Sequence, residues 1–211
     1  MKKTNVRASA VIGLLLVTGQ FISCDKKVIT TNENTATIIE NIKIEEIKAE
    51  VFRQPVVFIT GIDKETNEFY KKAREYFLNK KYEVVDYTFS LQEIFSWLNN
   101  NYDGNTYGEI HIVSHGNPWK GLSMETLING ERVTTEHVRR AITMGKLPTL
   151  KEGISKKTKV VFHSCGLGEN ADLMKTLKDA FVGEEVPSVL ASPYYTIFGG
   201  EFSEHYLAKP Y

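Results

Sequence analysis

Cysteine is scarce in this chain, and its two cysteines lie far apart, at positions 24 and 165. Two cysteines cannot build the framework of several bridges on which small disulfide-rich domains depend. Net charge is also absent, because 26 Lys and Arg residues balance 26 Asp and Glu residues. The composition therefore offers no positive excess for binding nucleic acid and no negative excess for binding a cationic partner.

Several motifs of nucleotide and hydrolytic chemistry are missing as well. The sequence contains no P-loop, no G-x-S-x-G serine elbow and no H-E-x-x-H zinc motif. The segment "CGLGENA" (165–171) has the form Gly-x-Gly-x-x-Ala, but the next apolar run, "VLASP" (189–193), ends without the acidic residue of a dinucleotide site. We therefore expect no organic cofactor.

The N-terminus has the features of a targeting segment. The basic head "MKKTNVR" (1–7) precedes the apolar stretch "ASAVIGLLLVTGQFIS" (8–23), and Cys24 follows. A basic head with a short apolar stretch is typical of a secretory signal peptide, and about 16 residues are marginal for a membrane span. The segment "FISC" (21–24) resembles a bacterial lipobox, with Phe21 in place of the usual Leu.

We therefore predict that residues 1–23 are a lipoprotein signal peptide and that Cys24 carries lipid. The protein would then be anchored, facing outward, on the outer or cytoplasmic membrane of a bacterial cell envelope. The alternative is a plain signal peptide followed by an incidental cysteine. Acylation of Cys24 leaves Cys165 with no second cysteine for a disulfide. The unpaired thiol of Cys165 is therefore a candidate for a chemical role.

The rest of the chain is predicted to form a tether and one α/β domain. Residues 24–54 are the tether and lead-in, and residues 55–211 are the domain. Strands are predicted over 56–61, 82–88, 108–116, 159–164 and 186–192, helices over 64–80, 91–101, 134–144 and 169–181, and an Asn-Gly hairpin over 121–134. Alternation of apolar strands with helices indicates a mostly parallel sheet with helices on both faces, whose chemistry lies at the carboxyl ends of the strands.

Two strand ends carry reactive side chains. The third predicted strand ends in "SHG", with His115 and Gly116, and the fourth ends in "HSC", with Cys165. A free thiol has a pKa of about 8.5, so a nucleophilic cysteine needs a base, and an imidazole can supply it. Adjacent strands lie about 4.8 Å apart, which would let His115 and Cys165 meet over one cleft. The N–H groups of Gly116 and Cys165 are candidates for an oxyanion hole.

These motifs resemble the caspase-like (clan CD) cysteine peptidases, and most closely the bacterial CHAT-like and clostripain-like domains. The resemblance covers roughly residues 55–200, through "HIVSHGNPWKGLSM", "INGERVTTEHVRRAI" and "VVFHSCGLG". It implies a three-layer caspase-like fold, with His115 as base and Cys165 as nucleophile. The family also has a sixth strand, for which little sequence remains after residue 192, so we expect a domain that is short at its C-terminus.

Three further residues are candidates for the substrate pocket. Asp63 follows the first strand at the same edge of the sheet, Trp119 lies three residues past Gly116, and His163 lies two residues before Cys165. Each also has a structural interpretation: a helix cap for Asp63, simple packing for Trp119, and a place under a helix for His163. Mid-strand His111 is expected to be a core or helix-facing histidine.

The function that these residues favour is a membrane-anchored cysteine endopeptidase that acts on polypeptides through a covalent acyl-enzyme. It needs no metal, although His111, His115, His163 and Cys165 are of the types that bind zinc. The alternative is a catalytically inactive caspase-like domain that binds a partner at the membrane surface. His163 supports this alternative, because relatives usually have a small or apolar residue at that position.

Overall fold

The computed structural model describes residues 51–194 and the backbone of residues 209 and 210. The predicted signal peptide, Cys24 and most of the predicted tether and lead-in lie outside this range. Within it, every helix is too short or too polar to cross a bilayer.

The described residues form an α/β unit around a six-stranded sheet. The strands are β1 (Phe52–Arg53), β2 (Val56–Ile59), β3 (Glu83–Val85), β4 (Thr106–Tyr107), β5 (Glu109–Val113), β6 (Gly116–Asn117), β7 (Gly121–Leu122), β8 (Lys159–His163), β9 (Ser188–Ala191) and β10 (Lys209–Pro210). The sheet has the order β3-β2-β5-β8-β9-β10. Its first five strands are parallel, which confirms the α/β class and the mostly parallel sheet.

The sixth strand corrects one expectation from the sequence. Residues Lys209–Pro210 pair antiparallel with β9. The sheet therefore has a sixth strand, which was not expected from the short sequence after residue 192. A strand was not predicted here because the segment is two residues long and ends in proline. It joins the sheet by pairing with the edge of β9.

The four helices within residues 51–194 each begin where a polar side chain caps them. They are α1 (Glu68–Asn79), α2 (Leu91–Asn100), α3 (Thr135–Thr143) and α4 (Ala171–Ala180), and a short 3-10 turn, Leu167–Glu169, precedes α4. Of the two neighbouring threonines that could cap α3, Thr134 and Thr135, the cap is Thr134. Helix α1 was predicted from residue 64 but starts four residues later, because the side chain of Asn67 accepts the N–H of Phe69 and sets the first turn there.

The predicted hairpin over 121–134 forms with less strand pairing than expected. Asn129 has a left-handed φ of 55°, and the N–H of Gly130 donates to the carbonyl of Leu127 at 2.8 Å, so the turn runs over 127–130 with Asn129 as its third residue and is not centred on the Asn-Gly pair. The arms meet through a single antiparallel bridge between Glu125 and Arg132, while the ordered ribbon is the neighbouring pair β6 and β7.

Buried side chains fall into two separate clusters that take alternate residues of the strands. The larger core joins Val56 and Phe58 of β2 to residues of α2, α3 and α4. The smaller core joins Val57 and Ile59 of the same strand to Tyr70, Ala73 and Phe77 of α1. Because successive side chains of a strand point to opposite sides, the two cores lie on opposite faces of the sheet.

Candidate active site

The register of two central strands places the candidate residues at the same height. Strands β5 and β8 are parallel neighbours, and Val113 lies opposite His163 at the end of the ladder. His115 and Cys165 each follow two residues later. The N–H of Ser114 donates to the carbonyl of His163 at 3.2 Å, which extends the pairing past the last strand residues. The backbone thus sets His115 and Cys165 each two positions beyond the same paired row, at the carboxyl edge of the sheet.

The loops that carry these residues are in close contact. A Cβ atom on Gly116 would lie 2.5 Å from Ser164 Oγ and 2.7 Å from the carbonyl oxygen of Gly121, so no other residue fits there without displacing the backbone. Gly116 follows His115 and Ser164 precedes Cys165, so this absent side chain is what lets the two strand ends approach. Ser164 Oγ is buried and has no hydrogen-bond partner within residues 51–194.

The loop after Cys165 is hydrogen-bonded to the segment that follows β9. The N–H groups of Gly166 and Gly168 donate to the carbonyls of Tyr194 and Ser192, each at 2.9 Å. The side-chain amide of Asn170, which caps α4, donates to the carbonyl of Pro118 at 2.6 Å. Cys165 itself is partly exposed and forms no disulfide with any described residue.

His115 is held between aromatic rings and a carboxylate. Its ring stacks on Phe69, with centroids 4.6 Å apart at an interplanar angle of 30°, and meets Tyr70 edge-on at 5.1 Å. Its Nε2 lies 3.9 Å from Oδ2 of Asp63. The side chain as a whole retains 20% exposure, while Nε2 itself is buried.

Asp63 does not cap helix α1, contrary to the structural interpretation given to it from sequence. The cap is Asn67, and Asp63 instead accepts hydrogen bonds on both carboxylate oxygens. Tyr70 donates its hydroxyl proton to Oδ1 at 3.2 Å, and Asn67 donates from Nδ2 to Oδ2 at 3.0 Å. The carboxylate is therefore oriented toward His115.

The other two pocket candidates lie in different surroundings. Trp119 is 81% exposed in the turn between β6 and β7, where Asn117 Oδ1 accepts the N–H groups of Trp119 and Lys120. His163 lies against Phe77 of α1, with ring centroids 5.4 Å apart. Its place under a helix agrees with the structural interpretation of this residue.

His163 also joins a hydrogen-bonded chain along the face of the sheet that carries α1. His163 Nε2 lies 2.9 Å from His111 Nδ1, with the two rings nearly parallel, and His111 Nε2 lies 3.3 Å from Oε2 of Glu109. His111 is buried mid-strand, as predicted. The hydrogen bond from His111 is the main cause that lowers the pKa of the Glu109 carboxyl.

The sequence analysis did not single out Tyr70. The structure buries Tyr70 and leaves Phe69 only partly covered. The sequence signal that indicates Tyr70 is Asn67. A helix that begins after an Asn67 cap has Tyr70 in its first turn, where it can face the sheet.

Metal chemistry has no ready-made site among the described residues. Within residues 51–194, no group of three or more His, Cys, Asp or Glu side chains converges as metal ligands would. His111 and His163 face each other at hydrogen-bond distance, which is too close for an ion to bridge them at Zn–N bonds of about 2.0–2.1 Å.

No protein-family model, curated protein or solved structure matches this chain, so the chemistry of the site is inferred from its own residues.

Proposed function

We propose that the chain is a lipid-anchored cysteine endopeptidase with a three-layer caspase-like fold, in which His115 and Cys165 form the catalytic dyad. The observation that carries the proposal is the register of β5 against β8, with Val113 opposite His163. That register sets both candidate residues two positions beyond one paired row. The sixth, antiparallel strand agrees with the resemblance to the family.

In the proposed reaction, His115 takes the proton of the Cys165 thiol, and the thiolate attacks the carbonyl carbon of a peptide bond. The carbonyl π electrons move to oxygen, and the N–H groups of Gly116 and Cys165 stabilise the resulting oxyanion. As the oxyanion collapses, the C–N bond breaks and the amine leaves with the proton from His115. Water, deprotonated by His115, then attacks the thioester and releases the acid, while the proton returns to sulfur.

Asp63 has a different role in this proposal from the pocket role that the sequence suggested. Its carboxylate lies 3.9 Å from His115 Nε2 and already accepts two hydrogen bonds. A carboxylate so placed stabilises the imidazolium that forms when the thiol loses its proton. We therefore assign Asp63 to the histidine and not to the substrate.

The lipid anchor belongs to the same proposal. Acylation of Cys24 after removal of residues 1–23 would hold the domain at the outward surface of a bacterial membrane, near polypeptide substrates of the cell envelope. Metabolic labelling with an alkyne-modified fatty acid tests this step. Wild-type protein should incorporate the label and Cys24→Ala should not, whereas equal incorporation by both proteins would refute lipidation.

The catalytic proposal is tested with the purified protein and a peptide library that varies the residue before the cut. Cys165→Ala should reduce cleavage by about a thousandfold or more, and His115→Ala should also strongly reduce it. His137→Ala is the matched control and should cleave as wild type does. It removes a histidine of α3 that is paired with Glu131. Cleavage that survives Cys165→Ala would eliminate the mechanism.

The alternative function is a catalytically inactive domain that binds a partner at the membrane surface. The two functions are separated by an acyloxymethyl ketone probe, which needs an activated thiol. The endopeptidase should be modified at Cys165 in wild type and spared in His115→Ala. A binding domain would react equally slowly in both proteins and would cleave no peptide.

A further inference from the structure

We propose that Tyr70 is a positioning residue for the dyad: its hydroxyl locks the backbone of His115 and the carboxylate of Asp63 into one arrangement. This inference rests on the proposed function. Tyr70 lies in the first turn of α1, which covers the smaller core beside the carboxyl edge of the sheet. It touches neither of the reacting atoms and acts through His115.

The Tyr70 hydroxyl makes two directed hydrogen bonds at once. It accepts the backbone N–H of His115 at 3.0 Å and donates its own proton to Oδ1 of Asp63 at 3.2 Å. A phenol is one of the few side chains that can donate and accept through a single oxygen. The hydroxyl therefore bridges the loop after β2, which carries Asp63, to the loop after β5, which carries His115.

The ring of Tyr70 supplies a second constraint. It stands at 77° to the imidazole of His115 with centroids 5.1 Å apart, while Phe69 covers the face of the same imidazole. One helical turn thus contributes two adjacent aromatic side chains that restrict the imidazole from two directions. Such contacts hold a ring in one rotamer, which is what a base needs to meet its nucleophile.

The Tyr70 hydroxyl at the centre of this arrangement is buried. Tyr70 is 2% exposed, and its burial raises the pKa of the phenol above its ordinary value. The hydroxyl therefore keeps its proton across the working range of a cysteine peptidase. Gly61 makes room for it, because a Cβ atom at that position would lie 2.7 Å from Cζ of Tyr70.

The test compares Tyr70→Phe with wild type by the rate at which iodoacetamide alkylates Cys165 across pH. Loss of the hydroxyl leaves the ring in place and frees Asp63 and His115 to move apart, so thiolate should form only at higher pH. The midpoint of the profile should rise by about 0.5 pH unit or more, and kcat for peptide cleavage should fall about tenfold with KM little changed.

Tyr82→Phe is the matched control, because Tyr82 also donates its hydroxyl to a carboxylate, Glu109, at 3.3 Å, away from His115. This variant should keep the wild-type alkylation profile. If Tyr70→Phe is folded by circular dichroism and its profile superposes on those of wild type and Tyr82→Phe, the positioning role is overturned. Alkylation does not depend on peptide cleavage, so this result is distinct from failure of the peptidase proposal.

Asp63→Asn provides a second route should Tyr70→Phe lose its fold. Asp63 is a partly exposed side chain, and the change keeps its size. The single variant should raise the alkylation midpoint in the same direction. Where both singles fold, the double variant should shift the profile no further than the larger single, because the two residues act as one unit. Fully additive shifts would contradict the bridge through Tyr70.

Discussion

The two faces of the sheet use the same strands for different purposes. The larger core is lined by aliphatic and aromatic side chains and is covered by α2, α3 and α4. Of the described helices, α1 covers the smaller core, and beside it lie two hydrogen-bonded polar groups: the pair His111 and His163, and the group formed by Tyr70, Asp63 and His115. Most of the apolar packing lies on one face, and the candidate base His115 lies beside the other.

This difference has a physical reason. Histidine, tyrosine and carboxylate side chains retain their polar function only where hydrogen-bond partners or water are close, and a single covering helix leaves both within reach. In the larger core, the buried hydroxyl of Tyr107 is compensated by Arg53, which donates to it, and by the carbonyl of Leu98, which accepts from it. The following substitutions test whether the division is real, from the largest expected effect to the smallest.

Truncating one aromatic residue in each core should show how the stabilising energy is divided. Phe162→Ala in the larger core should cost about 4 kcal/mol of unfolding free energy, and Phe77→Ala in the smaller core about 3 kcal/mol, because water can partly refill the latter site. Both side chains are at most 2% exposed. Urea unfolding measures the two values.

Leu78→Ala is the control for this pair, since Leu78 neighbours Phe77 but is 49% exposed. It should change the unfolding free energy by less than about 1 kcal/mol. A cost for Phe77→Ala clearly above that for Phe162→Ala would reverse the ranking of the two cores.

Filling the space beside Tyr70 should strain the smaller core. In Gly61→Ala the new Cβ atom would crowd the phenol of Tyr70, and overpacking of this kind costs about 1–3 kcal/mol. Thermal unfolding should show a lowered Tm. The double variant Gly61→Ala with Tyr70→Phe should recover part of the loss, because the hydroxyl oxygen is the atom closest to the new methyl group. No recovery would mean that the strain lies elsewhere.

Acid should weaken the hydrogen-bonded chain of the smaller core through Glu109. Its pKa is lowered chiefly by the hydrogen bond from His111, so the folded carboxyl binds its proton less readily than the unfolded one. Its contribution is present above the unfolded pKa and is lost as pH falls through the lowered folded pKa. Partial exposure limits this contribution to less than about 1 kcal/mol.

Glu109→Gln should therefore be less stable than wild type at pH 7 and should lose less stability on acidification, as measured by urea unfolding at both pH values. Glu68→Gln is the control, because this carboxylate lies exposed on α1 in an ion pair with Lys71. It should retain the wild-type pH dependence. Identical pH profiles for Glu109→Gln and wild type would show that the chain does not stabilise the fold.

The smallest effect is expected at a polar exception on the side of the larger core. Ser164 follows Phe162 by two residues, and its buried hydroxyl has no hydrogen-bond partner among the described residues. Ser164→Ala should be neutral or stabilising by up to about 1 kcal/mol, because an uncompensated polar atom is removed. In contrast, Ser192→Ala should destabilise by about 1 kcal/mol, since Ser192 Oγ accepts the N–H of Tyr194 at 3.0 Å. Equal losses in both would argue that Ser164 is satisfied by ordered water.

Much of the fold could be predicted because its signals are local. The five parallel strands are apolar runs that end at glycine or polar residues, and Ser90 and Thr134 cap helices where hydroxyl residues precede an apolar periodicity. The start of α1 was predicted too early, because both Asp63 and Asn67 are acceptable caps and only packing against the sheet selects Asn67. Strand β10 could not be predicted, because two residues carry no pattern of their own.

By itself, the sequence determined the alternation of strands and helices and the placing of His115 and Cys165 after two strands, since hydrophobic periodicity and turn residues act over a few neighbouring positions. Only the tertiary structure decided which partners meet. Asp63 and Tyr70 reach His115, and His163 reaches His111 across 52 residues of chain, because strand register and helix packing bring together side chains that no local pattern connects.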